Sequence, residues 1–246
     1  MEDTHWWYRG MRAVALAWIR ARPSEAPPSR VLDAGCGTGG SLAWARRTLG
    51  AARVSGVDVS PHALQHGLAR GERCLVRASA VALPFRGGCF DLVLCEDLLQ
   101  HLGPGASDVE ALAEFHRVLV PNGRLFVRTN SRCGLGHAPR FPRYTLADLA
   151  DRIAAAGFVV ERASHANALP GLYATARARL RTAPASSLGR AGPPGHGRSR
   201  PVQRSRWLDH LLGGIVAMEA RYLSAPGRRL AFGHSIVCLA VKVGRS

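Results

Sequence analysis

The stretch Val31-Leu32-Asp33-Ala34-Gly35-Cys36-Gly37-Thr38-Gly39-Gly40 decides the fold. An apolar strand ends there, a glycine-rich turn follows and a helix opens. Glycine lets the backbone take positive φ and approach a ligand closely, and a helix N-terminus presents unbonded N–H groups. Gly35, Gly37 and Gly40 also fit the dinucleotide pattern GxGxxG, so the loop alone leaves two ligand classes open. Two acids narrow them. Asp33, two residues before the first glycine, suits a cationic ammonium and would repel a pyrophosphate. Asp58 closes the second strand, where an acid can accept both ribose hydroxyls of an adenosine.

Outward from this loop, strands and helices alternate. Strands are expected at Arg30–Ala34, Ala52–Val59, Cys74–Ala78, Phe90–Cys95, Arg124–Thr129, Phe158–Ala163 and Ser235–Val243. Helices are expected at residues 5–22, Gly39–Leu49, Pro61–Arg70, Ser107–Leu119, Thr145–Ala156 and Trp207–Leu223. Ser107 reads as a cap with Glu110 in the capping-box position, and Thr145 as a cap with Asp148. Gly157 stands where a left-handed C-cap belongs. The alternation predicts an α/β fold: a Rossmann-like, seven-stranded, mostly parallel sheet with an antiparallel last strand and a helical insertion before it. The expected organisation is a single domain. It comprises an N-terminal cap helix (1–28), a cofactor-binding core (29–165), an insertion or lid (166–230) and the final strand (231–246). Leu169–Arg181 reads as helical. In 182–205, twelve of twenty-four residues are Pro, Gly or Ser, the composition of a mobile, cationic loop that folding can do without.

The chain has 246 residues, 47% of them hydrophobic, and a net charge of +16. That content excludes wholesale disorder. No apolar run approaches the roughly 20 residues of a membrane span, and the first residues lack a signal peptide's apolar core, so a cytoplasmic location is expected. Residues 177–206 hold eight arginines and no acid, which raises an anionic partner as a possibility. The six cysteines have no CxxC or zinc-type spacing, so no metal site is expected.

Taken together, these segments resemble a class I S-adenosylmethionine-dependent methyltransferase. VLDAGCGTGG (31–40) resembles that family's first motif, and VSGVDVS (54–60) its second-strand acid motif. ASAVALPF (78–85) resembles the loop at the adenine, FDLVLCEDLLQHL (90–102) the fourth strand and its turn, and LVPNGRLFV (119–127) the entry to the fifth strand. His5-Trp6-Trp7-Tyr8 and Phe232-Gly233-His234-Ser235 are similar to the ends of a bacterial subgroup with an HWW-type N-terminus. One departure is Ser79-Ala80, where the family usually has an acid for the adenine amine.

The resemblance implies S-adenosyl-L-methionine as cofactor and methyl transfer as activity. It implies Asp33 at the methionyl ammonium, with Gly35, Cys36, Gly37 and Gly39 against the methionine part. Asp58 would take the ribose and Val59 the adenine, with Ser79 and Ala80 at the adenine's polar edge. Glu96, Asp97 and Leu98 would face the methyl-transfer region. Trp7, Tyr8 and Arg12 would cover the cofactor, Arg12 meeting its carboxylate. His101 and Glu96 are the expected catalytic residues, His101 as a general base near neutral pH. Three readings compete: methylation of a small organic acceptor at O or N, methylation of RNA or another nucleic acid, and an NAD(P)-binding oxidoreductase or non-catalytic cofactor-binding protein. Cys95-Glu96-Asp97-Leu98 is not the Asn/Asp-Pro-Pro-Tyr/Phe motif of exocyclic-amine methylation, and the arginine segment lacks interleaved aromatics for base stacking. A small acceptor is therefore the expected partner.

Overall fold

The computed structural model describes residues 5–21, 26–102, 105–132, 144–169 and 206–244. Seven strands form one sheet: β1 Arg30–Ala34, β2 Arg53–Asp58, β3 Leu75–Arg77, β4 Phe90–Glu96, β5 Leu119–Asn130, β6 Phe158–Ala166 and β7 Ser235–Lys242. Their order is β3-β2-β1-β4-β5-β7-β6. The β7 strand runs antiparallel to both neighbours, and the pairs from β3 through β5 are parallel. The helices are α1 Trp6–Ile19, α2 Gly40–Trp44, α3 Pro61–Ala69, α4 Leu99–Leu102, α5 Ala106–Val118, α6 Leu146–Ala155 and α7 Arg206–Ser224.

Side chains alternate across a strand, and here both faces are apolar, as helices on both sides of a sheet require. Val31, Leu92, Leu94, Phe126, Val237 and Leu239 pack with α1, α2 and α7, through Met11, Val14, Trp18, Leu42, Val216 and Leu223. Leu32, Val93, Cys95, Leu125, Val127 and Cys238 pack with α5 and α6, through Leu112, Phe115, Leu149 and Ile153. The same alternation carries Asp33, Glu96 and Arg128 onto the α1 side at the carboxyl ends of β1, β4 and β5. There they replace the core with a polar cluster.

The helices α1 and α7 approach closely. A Cβ on Gly10 would lie 1.7 Å from Cγ1 of Val216. Several cations serve main-chain carbonyls. Arg124 donates to Ile19 O at the end of α1 and Arg20 to Thr48 O. Arg162 donates to Leu223 O and Ala225 O at the end of α7. Lys242, the one lysine in the chain, donates to His116 O and Leu119 O at the end of α5.

Some expected boundaries shift. After Trp44 the first core helix widens into a π-turn over Ala45–Leu49, and Gly50 ends it at φ 74°. Ser107 does not cap α5. The N-cap is Gly105, whose N–H donates to Asp108 at 2.9 Å. Asp108 is buried and also receives Tyr144 Oη and Arg152 Nη1, each at 3.1 Å. The carboxylate with three partners outcompetes the lone hydroxyl. The Thr145–Asp148 capping box and the positive φ of Gly157 are present as read. The strand β6 outruns its expected end, and β5 gains Asn130, because β7 pairs along both; β5 also starts earlier, at Leu119, which pairs with Phe90 of β4. Leu169 is described, but 170–181 and the arginine-rich stretch 182–205 lie outside the described residues.

Candidate active site

At the carboxyl ends of β1, β2 and β4 a cavity of about 390 Å³ opens between the glycine loop, the turn after β4 and the first turns of α1. This edge is where open α/β sheets hold ligands.

The loop is shaped by three glycines with positive φ: Gly35 (77°), Gly37 (52°) and Gly39 (83°). The N–H groups of Gly35 and Cys36 both donate to Val57 O, at 2.8 and 3.0 Å, tying the loop to β2. A Cβ on Gly37 would meet nothing within 4 Å, so this glycine serves the backbone turn and leaves its surface open to the cavity. Asp58 locks the loop: Gly37 N–H donates to its Oδ2 at 2.9 Å and Ser60 N–H to its Oδ1 at 2.8 Å. Ser60 in turn caps α3. Both oxygens of Asp58 keep lone pairs for a diol, since a carboxylate offers about four acceptor positions. Beside it Val59 lines the cavity with its side chain 62% exposed, an apolar surface set next to polar groups.

Asp33 is only 2% exposed, and its Oδ2 has no hydrogen-bond partner among the described residues. Burial, reinforced by the charge of Glu96, pushes its carboxyl well above the usual carboxylate range, against the pull of Arg128 and Arg12. A buried acceptor left unmade is costly, and a cationic ligand in the cavity would relieve it. Cys36 also lines the cavity; burial and the nearby Asp33 push its thiol up, so it stays protonated.

The far wall is an ionic cluster. Arg128, 4% exposed, donates to Glu96 Oε1 at 3.1 Å and grips Asp97 through Nη2 (2.7 Å) and Nε (3.3 Å). Ser41 Oγ donates to Glu96 Oε2 at 2.6 Å. Burial works against the charge on Arg128, but Glu96 and Asp97 outweigh it and hold the guanidinium ionised. Asp97 takes φ 58°, an uncommon conformation for a non-glycine residue, and the Arg128 fork holds it there. The ring of Trp7 lies 4.8 Å from the Arg128 guanidinium carbon, which joins the aromatic start of α1 to the pocket wall.

Of the residues read from the sequence, the structure brings Asp33, Gly35, Cys36, Gly37, Asp58, Val59, Glu96, Leu98, His101, Tyr8 and Arg12 to the cavity lining. Four others stand behind or beside it. Trp7 touches the cavity through Arg128. Gly39 is buried, where a Cβ would strike the side chain of Glu72. Ser79 accepts from Val81 N–H at 3.4 Å, and Ala80 is buried. Sequence reasoning missed Arg128 and Ser41. The signal for Arg128 was its phase: it follows Phe126 on a core-facing side of β5, so it needed a buried acidic partner. Among the described residues no cluster of three metal-binding side chains occurs.

A sheet of this order, with this glycine loop and strand-end acid, is that of the class I S-adenosylmethionine-dependent methyltransferases. Residues 32–127 match the family described as "Methyltransferase domain". It is 37% identical over 110 residues to a ubiquinone biosynthesis O-methyltransferase of Xylella fastidiosa, covering 42% of this chain and 43% of the relative. It is 32% identical over 141 residues to the Bordetella bronchiseptica protein of the same name, covering 52% and 56%. The match thus spans about half the length of these curated relatives. Among solved structures, a chain from the complex of the Haloferax volcanii Trm112 methyltransferase activator with its methyltransferase superposes with a TM-score of 0.62 at 19% identity. That superposition covers 100% of this chain and 92% of the other. A Mesorhizobium loti S-adenosylmethionine-dependent methyltransferase gives 0.57 at 17% identity, covering 98% and 100%. At these identities the two structures speak for the fold alone.

Proposed function

We propose that the chain transfers a methyl group from S-adenosyl-L-methionine to a small organic acceptor, with a hydroxyl oxygen favoured over nitrogen. The observation that carries the reading is Asp33: a buried carboxylate oxygen without a partner, on the wall of a glycine-lined cavity. The residues fit the cofactor. Asp33 would take its ammonium, Asp58 its ribose hydroxyls, Val59 its adenine face and Arg12 its carboxylate. Gly35 and Gly37 give the backbone room to approach. When bound, the cofactor supplies an electrophilic methyl on a sulfonium. The protein's part is to orient the acceptor, exclude water and accept a proton.

His101, exposed at the cavity edge one turn beyond Glu96, is the group we assign to take that proton. Both oxygens of Glu96 already accept hydrogen bonds, from Ser41 and Arg128, so it orients the wall rather than acting as the base. The O-methyltransferase chemistry named for the curated relatives supports an oxygen acceptor. A cytoplasmic location belongs to the same proposal: the five described cysteines are all free thiols, as a reducing compartment leaves them, and no described helix is long and apolar enough to cross a membrane.

Titration calorimetry with S-adenosylhomocysteine and, separately, NADH tests the cofactor; a methyl-transfer screen over phenols and amines tests the acceptor. Binding of the homocysteine product without NADH binding supports the reading. NADH binding alone overturns it in favour of an oxidoreductase.

A further inference from the structure

Helix α7 (Arg206–Ser224) carries more apolar surface than its packing uses. Leu212, Val216, Ala220 and Leu223 are buried. Leu211, Met218 and Tyr222 are 53%, 64% and 41% exposed, and Ile215 among them is half-buried. Spaced by four, three and four residues, these last four fall on one stripe along the helix. Arg221, Arg228 and Arg229 are exposed beside it. The Arg228 guanidinium stands over the Tyr222 ring at 5.2 Å. Glu219 points away: it is buried, and its carboxylate accepts the N–H groups of Asn167 and Ala168. In the sequence, the eight arginines of 177–206 run directly into this helix.

We propose that the exposed face of α7 docks on an anionic phospholipid bilayer surface. An apolar stripe flanked by arginine, with a tyrosine at its edge, is the composition of a helix lying in a membrane interface, and a basic cluster beside such a helix recognises acidic headgroups. The charge argues for this occupant over a second copy, because two arginine-flanked faces on chains of charge +16 repel. A nucleic acid would use the arginines but not the Leu211–Met218 stripe. The site gains from the arrangement: α7 lies against α1, where Gly213 faces Trp6, and Tyr8 on the next part of α1 lines the cavity.

The full chain, without cofactor or acceptor, is co-sedimented with vesicles of phosphatidylcholine alone and of phosphatidylcholine with phosphatidylglycerol. Binding is expected only to the second, weakening with salt. Met218→Glu should weaken it by about tenfold or more, and Arg228→Gln and Arg229→Gln roughly fivefold each. Met218→Gln and a thermal melt of each variant separate lost docking from lost folding. Absence of binding to anionic vesicles overturns the proposal, as does undiminished binding by folded Met218 variants. So does binding of a single-stranded oligonucleotide in place of vesicles. Neither ligand of the active site is in the assay, so its failure leaves the methyltransferase reading standing.

Discussion

Glu96 and Arg128 are register partners on the adjacent strands β4 and β5, and their side chains meet at 3.1 Å with almost no exposure to solvent. The pair forms because strand alternation delivers both to the same face at the same edge. Arg128 then reaches one residue further to Asp97, so one guanidinium is shared between two carboxylates in the pocket wall.

Replacing Arg128 with Met leaves the nearly buried Glu96 carboxylate, and the partly exposed Asp97 beside it, without their guanidinium partner. A loss of about 3–5 kcal/mol in unfolding free energy is expected, the range seen when one member of a buried pair is removed. Urea denaturation measures it. Arg128→Lys should recover only part, since an ammonium cannot grip Asp97 with two donors. A variant as stable as the parent would show the cluster to be idle in folding.

The pH dependence of the ligand-free protein should carry the mark of Asp33. Its folded carboxyl holds a proton more tightly than the unfolded one, whose pKa lies near 3.9. Such a group contributes stability that is fully present below the unfolded value and is lost as pH rises through the raised folded value. Asp33→Asn should therefore flatten the fall in stability from acid toward neutral pH and leave the ligand-free protein more stable at pH 7. The same change should weaken S-adenosylmethionine binding by about tenfold or more. Thermal melts across pH, with and without ligand, read both effects; a parallel pH profile in the variant would contradict the assignment.

Gly10→Ala should destabilise the protein by about 1–3 kcal/mol, the usual cost of overpacking, because the new methyl would fall on Val216. Pairing it with Val216→Ala should return part of that loss. A double-mutant cycle in denaturant gives the coupling, and additive effects would mean that the helices re-space without strain.

His101→Ala should lower kcat by about 100- to 10,000-fold on a hydroxyl acceptor, with cofactor affinity unchanged by calorimetry. Asp58→Ala should do the converse, costing about 1–3 kcal/mol of cofactor binding. If His101→Ala keeps full turnover, His101 is a packing residue.

Much of this was legible from residue order. The loop 31–40 is local: strand, glycines and helix lie within ten positions, so neighbouring residues specify it. Seven strands could be located from apolar runs. What escaped depends on partners distant in sequence. The cap of α5 is decided by Tyr144, just before α6, and Arg152 within it, which reach Asp108 from a distant part of the sequence. Arg128 makes sense only once β5 is laid beside β4. The retreat of Ser79 and Ala80 from the cavity wall follows from how their turn packs, which no local pattern records. Both α1 and α7 were legible as helices, but the glycine contact that fixes their spacing was not.

The cations that cap helix ends have a consequence for how the molecule responds to ionic strength. Arg124, Arg162 and Lys242 are engaged with neutral carbonyls in contact hydrogen bonds, which mobile ions screen little. The long-range repulsion within a chain of charge +16 is what dissolved salt does weaken, over a Debye length of about 8 Å at physiological concentration. The fold is thus built so that added electrolyte relieves its surplus charge while sparing the contacts that charge makes, and the native state gains stability as salt rises.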